Sequence, residues 1–398
     1  MSGADFEAMD NYNRGLYRVP DTKVCYRHIN DLAVKKFIKL KSKPGTCYYC
    51  GRKSTKVVGL ETLMRFLMEA VAHFYKDPAE FMRPLHGGGW DGYTYDGWEV
   101  LNDCFVLPVD ELLFEDIRLS IETDKAWGDE ADYFGDEADF LKYHWDYFVR
   151  VVKHRARYLF GNTNDLRSTT YNLKPYDILK NIGEKVNRYG LVKTMEPGSI
   201  LYRCRQHPRI EHLKTGQALT SPPTELANQP NRMSPAGISM FYGAFSRETS
   251  LAETLDYSRK LDTHCTSGVF QTRETLTVID LSAIPPIPSV FDQAKWDDLL
   301  PIRFLGDFVD DLVKPISRDA KVHIEYVPTQ IVTEYFRYAF KGSKKKKIKV
   351  DGIIYPSSRI PGENACVLFF DHEESLEQLI FLPAELVRKK VIFPTKPV

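Results

Sequence analysis

The chain has 398 residues, more than the roughly 100–200 of one ordinary domain, and its 43% hydrophobic content is enough for large cores and excludes a disordered protein. Lys plus Arg and Asp plus Glu each total 54, and this balance argues against a protein whose main task is to coat nucleic acid or an acidic membrane. No apolar stretch approaches the roughly 18 residues of a membrane-spanning helix, and the polar N-terminal stretch lacks the pattern of a signal peptide, so we expect a cytoplasmic protein.

Residues 1–58 contain two short metal-binding half-sites. Cys25 and His28 form a C-x2-H pair. Cys47 and Cys50 form a C-x2-C pair further along the chain. Two such half-sites supply the four ligands of a closed structural zinc site, and clustered cysteines in a reducing compartment usually bind metal. We therefore predict a zinc knuckle in this segment. The alternative is a redox-active C-x2-C pair with His28 as a surface residue.

Residues 59–195 are predicted to form an all-helical domain. Apolar residues recur at three- and four-residue steps after Leu60, the periodicity of one helix face. Further helices are predicted at Trp98–Leu101, Asp110–Ile117, Phe140–Phe160 and Tyr176–Tyr189. Arg150 and His154 lie four residues apart and could cleave RNA, but a surface pair is the favoured interpretation. The turn at Met195–Gly198 is the predicted domain boundary.

Residues 196–398 mix strand-like runs, Pro/Gly turns and helices, which is typical of an α+β domain. A strand is predicted over Ser199–Arg205, and it includes Arg203. A turn that contains Arg232 then leads into an apolar strand ending at Tyr242.

The next helix is predicted to begin after Ser246, a residue type that favours the N-cap position. Glu253 lies in an apolar stretch of this helix, where an unpaired carboxylate would be costly. A buried glutamate needs cationic partners, and the arginines upstream of it are the candidates.

These pieces together resemble the RES family, which is named for its Arg, Glu and Ser and is related in fold to the ADP-ribosyltransferases. The resemblance covers residues about 199–372, from the Leu-Tyr-Arg strand through the Arg-x4-Gly turn to three later runs. Those runs are Tyr326–Gln330, Asp351–Ser358 and Asn364–Phe370. The turn departs from many members in reading Arg-Met-Ser-Pro. The zinc and helical segments resemble the N-terminal extension of some RES domains.

The resemblance implies an enzyme that degrades NAD and takes it as a substrate, not as a cofactor. It implies that Glu253 is the carboxylate that stabilises positive charge on the ribose as nicotinamide leaves. Tyr242 would lie against the nicotinamide or its ribose. Ser357 would hydrogen-bond the bound nucleotide, with Ser358 as the alternative if the register differs.

The same resemblance assigns the two negative charges of the NAD pyrophosphate to Arg203 and Arg232, since the planar fork of arginine binds phosphate at two points. Together with Tyr242, Glu253 and Ser357 they complete the expected site. The absence of G-x-G-x-x-G and of a P-loop argues against a Rossmann-type cofactor site.

Three functions remain open on the sequence. The first is an NAD-degrading toxin that acts by hydrolysis or phosphorolysis in a toxin–antitoxin or defence role. The second is a mono-ADP-ribosyltransferase with a protein acceptor, and the third is a zinc-containing nucleic-acid-binding protein whose RES-like half is inert. An antitoxin or regulatory partner and a homodimer stay open, whereas binding to nucleic acid or to a membrane is not expected.

Overall fold

A computed structural model describes residues 9–107, 110–159, 174–316, 322–342 and 347–393. The chain divides into two compact units. The first unit comprises residues 1–140 and 286–303, and the second comprises residues 141–285 and 304–398. In the part of the chain that the structure describes, no helix is both long enough and apolar enough to cross a membrane.

The principal helices of the described residues are numbered α1 to α10. In chain order they are Leu32–Lys41, Leu60–Phe74, Glu111–Leu119, Glu130–Phe134, Glu137–His154, Pro175–Arg188, Arg247–Thr254, Trp296–Val313, Val327–Glu334 and His372–Gln378. The helices predicted around residues 140–160 and 176–189 correspond to α5 and α6, and Phe160 lies outside the described residues.

The strands of the first unit, β1 to β6, are Lys23–Cys25, Lys43–Gly45, Thr55–Gly59, Tyr75–Lys76, Thr94–Tyr95 and Trp127–Asp129. Those of the second unit, β7 to β15, are Val192–Met195, Ile200–His207, Phe241–Ala244, His264–Thr272, Leu276–Asp280, Gly352–Pro356, Asn364–Leu368, Leu379–Phe381 and Val387–Lys390.

The first unit is built around α2, whose apolar face is buried as its periodicity predicts. Leu63, Leu67 and Val71 of that face are fully buried in the core. The unit also contains two small sheets, β1-β3-β2 and β4-β6-β5, so the predicted all-helical segment includes short strands. Strands β4 to β6 have only two or three residues each, which is too short to give an alternating apolar pattern.

The second unit is built around one large mixed sheet, as predicted for the C-terminal half. In the described residues it has nine strands, in the order β14-β10-β8-β9-β13-β12-β11-β7, with β15 also paired to β10. Strands β11 and β12 are parallel, and the other pairs are antiparallel. Phe241, Phe270 and Leu368 lie in its buried core.

The two units do not coincide with the predicted boundaries after residues 58 and 195. Strand β7 ends at Met195 but pairs with β11, so it is part of the large sheet. Most of helix α5 belongs to the second unit, where the Nε1 of Trp145 donates to Asp311 at 2.8 Å. Residues 286–303 instead supply Phe291 to the core of the first unit. Helical periodicity identifies an apolar face but not the core on which that face packs.

Strands β8 and β9 separate within the sheet. They pair at the single position Tyr202↔Ala244, whereas β8 and β10 pair along eight residues. Beyond that position the side chain of Arg203 spans the gap, and its Nη1 donates to the carbonyl oxygen of Tyr242 at 2.7 Å. A split between neighbouring strands exposes backbone and side chains to a ligand, so this opening locates the candidate site.

Candidate functional site

The four predicted metal ligands come together in the first unit. Their ligand atoms, from Cys25, His28, Cys47 and Cys50, all lie within 4.8 Å of one another. The Sγ atoms of Cys25 and Cys50 are 3.9 Å apart, and the Sγ of Cys47 is 3.4 Å from the Nε2 of His28. A tetrahedron built on Zn–S bonds of about 2.3 Å has edges of about 3.8 Å, so the donor set and its spacing fit zinc.

The local backbone brings these ligands together by tight turns. Strands β1 and β2 each pair with β3, which brings the two half-sites to one end of the small sheet. Gly51 follows Cys50 with a φ of 66°, a left-handed conformation that a glycine adopts without strain. The amide of Gly51 donates to the carbonyl oxygen of Cys47 at 2.9 Å and closes the turn.

Asp110 holds the imidazole of His28 in place, a contact that the sequence did not predict. One carboxylate oxygen of Asp110 contacts Nδ1 of His28, which leaves Nε2 facing the cysteines. The other oxygen accepts from the amide of Leu113 at 3.1 Å and caps the N-terminus of α3. A carboxylate on the distal nitrogen fixes the tautomer and the orientation of a metal-ligating histidine.

The second unit contains a cavity of about 710 Å³ where β8 and β9 separate. This volume lies within the range of small-molecule sites. Four of the five predicted site residues line it, together with Tyr355 and Ser358. The four are Arg203, Arg232, Tyr242 and Glu253. We refer to this cavity as the cleft.

Glu253 reaches the cleft from the last turn of α7. That helix begins as predicted, with the side chain of Ser246 accepting from the amide of Thr249 at 3.2 Å. The hydroxyl of Ser357 donates to Oε1 of Glu253 at 2.5 Å. The serine and the glutamate are 104 residues apart, so only the folded sheet brings them together.

The hydroxyl of Ser357 is fully used in this arrangement. Its oxygen also accepts from the amides of Arg359 and Ile360, at 3.1 and 3.2 Å. A hydroxyl has one donor and two acceptor positions, and all three are now occupied. Ser357 is buried, whereas the neighbouring Ser358 lines the cleft.

Arg203 lies deep in the split between the strands. Besides its bond to the carbonyl oxygen of Tyr242, its guanidinium lies 5.1 Å from the centre of the Phe241 ring. Burial lowers the pKa of Arg203 to about 10, which still leaves it protonated at neutral pH.

Arg232 is held in a turn that α9 and α8 clamp. Its Nη1 donates to the carbonyl oxygen of Leu312 in the last turn of α8 at 2.7 Å. Its own carbonyl oxygen accepts from the hydroxyl of Thr329 on α9. The side-chain amide of Gln330 donates to the carbonyl oxygen of Asn231 at 3.0 Å. The Thr-Gln pair of the Tyr326–Gln330 run thus fixes the arginine turn.

Tyr242 ties the same turn to β9. Its hydroxyl accepts from the amide of Met233 at 3.2 Å and lies 2.9 Å from the hydroxyl of Ser234. Burial raises the pKa of Tyr242 to about 12, so the phenol stays protonated. The hydroxyl is therefore used for anchoring, while the side chain lines the cleft.

Sequence reasoning missed Tyr355 and the roles of Thr329 and Gln330. Tyr355 is buried in the wall of the cleft, and burial followed by the charge of Glu253 raises its pKa well above the ordinary value. All three residues lie in runs that carry the resemblance, but nothing in their local pattern indicates which neighbour they contact.

Two known family models match consecutive segments of the chain. Residues 41–166 match the family described as HEPN/RES N-terminal domain 1. Residues 200–385 match the RES domain, and this range includes every residue of the cleft named above. No curated protein matches the chain.

Proposed function

Because this chain belongs to the RES domain family, we propose that it is an enzyme that breaks the bond between nicotinamide and ribose in NAD. The RES domain supports an NAD-related, toxin-type role at the level of the family. The observation that carries the specific proposal is the carboxylate of Glu253, held by Ser357 at the wall of a cleft that two arginines also line.

Cleavage of the bond between nicotinamide and ribose requires a negatively charged carboxylate, and it does not require a proton donor. Nicotinamide leaves NAD as a neutral molecule from a cationic state, so no proton has to be donated to it. Positive charge develops instead on the ribose, as in glycoside cleavage, and a fixed carboxylate stabilises it. In this proposal Glu253 supplies that charge. Ser357 acts on Glu253 by orienting the carboxylate, and this role replaces the direct contact with the nucleotide that the resemblance implies.

The arginines would bind the pyrophosphate. Arg232 uses one of its five N–H donors on Leu312, which leaves the rest of the guanidinium to meet an anion. Arg203 brings a second positive charge into the split. The ring of Tyr242, anchored through its hydroxyl, would support the nicotinamide or its ribose.

The acceptor of the ADP-ribosyl group decides between related activities. Water gives hydrolysis, inorganic phosphate gives phosphorolysis, and a protein side chain gives mono-ADP-ribosylation. All three use the same residues of the cleft. We favour water or phosphate, in a toxin–antitoxin or defence role, with an antitoxin or regulatory protein as the partner.

Cys25, His28, Cys47 and Cys50 would hold one structural zinc ion. All four positions of a tetrahedral site would be protein ligands, so the ion would cross-link the knuckle without binding substrate.

Arg150 and His154, the pair considered for RNA cleavage, are both exposed on α5.

The proposal is tested by incubating the purified full chain with NAD and measuring nicotinamide by chromatography. Reactions with and without inorganic phosphate separate phosphorolysis from hydrolysis by the sugar product. Label transferred from NAD to protein would instead indicate an ADP-ribosyltransferase. If neither nicotinamide nor labelled protein is formed, the proposed function is wrong.

The matched variants are Glu253→Gln and Glu248→Gln, two changes on the same helix. Glu253→Gln keeps size and polarity but removes the charge, so kcat should fall by about 10²-fold or more with KM little changed. Glu248 is exposed on α7 and should tolerate the change. Full turnover by Glu253→Gln would mean that the carboxylate is structural.

A further inference from the structure

Two thiols lie side by side beneath α7, the helix that carries Glu253. Cys204 is on β8 and Cys265 is on the neighbouring strand β10. Cys204 pairs with Ser267, while Cys265 pairs with Gln206, so the two cysteines are diagonal neighbours on one face of the ladder. Both side chains are buried, and they belong to one small apolar cluster.

The pair is buried but borders open space. Cys204 lines the cleft and also a second cavity of about 50 Å³, which Cys265 lines as well. A cavity needs only about 10–15 Å³ to hold one water molecule, so a small oxidant such as hydrogen peroxide fits there. The thiols are therefore reachable without unfolding.

The groups around this second cavity favour a thiolate on Cys204. Arg247 and Lys389 line it, opposed by Glu248. Arg247 holds Ser267 through a bond of 3.0 Å to its hydroxyl. Arg247 also lies 3.8 Å from the carboxylate of Glu385.

The two thiols differ in acidity. The thiol of Cys265 and the hydroxyls of Ser267 and Ser250 lower the pKa of Cys204 to about 7 against the effect of burial, and the charge of Arg247 adds to this. The interaction with Cys204 raises the pKa of Cys265 in turn, so Cys204 is the more acidic thiol of the two. Cys366, buried in the same sheet, has its pKa raised to about 12 by burial.

We propose that Cys204 and Cys265 form a peroxide-sensitive pair, and that their oxidation to a disulfide switches off the cleft. The thiolate of Cys204 attacks one peroxide oxygen, the O–O bond breaks, and the departing hydroxide takes up a proton as water. The sulfur of Cys265 then attacks the sulfenic acid of Cys204, the S–O bond breaks, and the thiol proton leaves with hydroxide as a second water. Peroxide is reduced and the two thiols are oxidised.

The disulfide would disturb the site because α7 rests on the pair. Leu251 of α7 packs against the two cysteines, and the hydroxyl of Thr254 donates to the carbonyl oxygen of Cys204 at 3.3 Å. A disulfide draws its Cβ atoms to about 3.5–4.5 Å, closer than diagonal neighbours of a ladder normally lie. Closing it requires the two strands to shift relative to each other, and α7, which rests on both thiols, would shift with Glu253. The loss of activity rests on the proposed function, whereas formation of the disulfide does not.

The first experiment measures the bond itself. Reduced full-length chain is treated with increasing hydrogen peroxide, free thiols are alkylated, and peptides are analysed by mass spectrometry without reduction. We expect a Cys204–Cys265 cross-linked peptide at doses that leave Cys366 free, and its loss on reduction with dithiothreitol. If Cys204 and Cys265 stay free at doses that oxidise the exposed Cys104, the inference is wrong.

The second experiment measures the consequence. NAD cleavage by the treated wild type should fall about 10-fold or more and return with dithiothreitol, because small displacements of a catalytic group cost up to about 10²-fold. A double variant, Cys204→Ser with Cys265→Ser, should lose none of its own untreated activity at the same dose, and the Ala double variant guards against a folding defect of the serines. Cys366→Ser should respond like wild type.

The outcomes separate the two claims. Cross-linked wild type with unchanged cleavage, or equal inactivation of both double variants, would overturn the switch. A wild type that never cleaves NAD would instead refute the proposed function, and the peptide measurement would still decide whether the thiol pair reacts.

Discussion

The four-ligand cluster, formed by Cys25, His28, Cys47 and Cys50, and the cleft are assembled in opposite ways. The ligands Cys25 to Cys50 lie within one short segment, and tight turns bring them within 4.8 Å of one another. The cleft takes Arg203 from β8, and Ser357, which holds Glu253 at its wall, follows β12 more than 150 residues later. Spacing along the chain is therefore informative for the first site, whereas only the order of the sheet strands explains the second.

The two sites also differ in what their side chains are used for. In the four-ligand cluster each predicted residue contributes one donor atom to a group that spans no more than 4.8 Å. At the cleft, several predicted residues use polar atoms to bond other residues of the protein. Arg203 donates to the backbone of Tyr242, and Arg232 donates to the backbone of Leu312. Ser357 donates to the carboxylate of Glu253. A residue type typical of a site can thus act by positioning a neighbour.

The largest expected effect concerns the four-ligand cluster. Cys47→Ser removes one of four ligands, so bound zinc should fall from about one ion per chain to nearly none. Metal analysis and thermal unfolding measure this, and the melting temperature should fall with it. Cys104→Ser, which changes an exposed cysteine of the same unit, is the control. A wild type that purifies without metal and is as stable as the variant would remove the contrast between the sites.

Arg232→Ala tests the binding half of the cleft. The pyrophosphate is charged throughout the reaction, so loss of a charge-assisted contact of about 1.5–3 kcal/mol should raise KM by about 10-fold or more and change kcat less. Steady-state kinetics and calorimetry with NAD measure it. Arg273→Ala, which removes another bond from an arginine to a carbonyl oxygen, serves as the control away from the cleft. An effect on kcat alone would reverse the roles assigned to Arg232 and Glu253.

Ser357→Ala distinguishes a positioning serine from one that binds the nucleotide. If Ser357 only orients Glu253, kcat should fall about 10-fold with KM unchanged, because a misplaced carboxylate stabilises the transition state less well. Adding Glu253→Gln should then cost no more than Glu253→Gln alone, since both changes remove one function. A raised KM, with losses that add, would restore the direct contact that the resemblance implies.

The smallest effect is expected for Asp110→Asn, which tests whether Asp110 supports His28 in the four-ligand cluster. Asparagine caps a helix about as well as aspartate, so the N-terminus of α3 should be kept while the charge on His28 is lost. Zinc affinity, measured against a competing chelator, should fall about 10-fold. Asp31→Asn, at the N-cap of α1, is the matched control. Equal affinities would mean that Asp110 serves only the helix.

Local patterns predicted several elements of both units. The apolar face of α2, the N-cap at Ser246 and the strand that carries Arg203 lie where the sequence indicates, because each depends on neighbours a few residues away. The residues of the cleft were identified by resemblance. Their contacts could not be read in advance, because hydrogen bonds between distant strands leave no periodic signal.

The sequence by itself determined the four-ligand cluster and the α+β character of the C-terminal half, since ligand spacing and residue periodicity are properties of short segments. Only the tertiary structure decided that β8 and β9 separate to open the cleft and that α9 holds the turn of Arg232. It also decided that the hydroxyl of Ser357 donates its hydrogen bond to Glu253. It also decided that Cys204 meets Cys265. These contacts depend on which strands become neighbours, and that choice is set by the packing of the whole sheet.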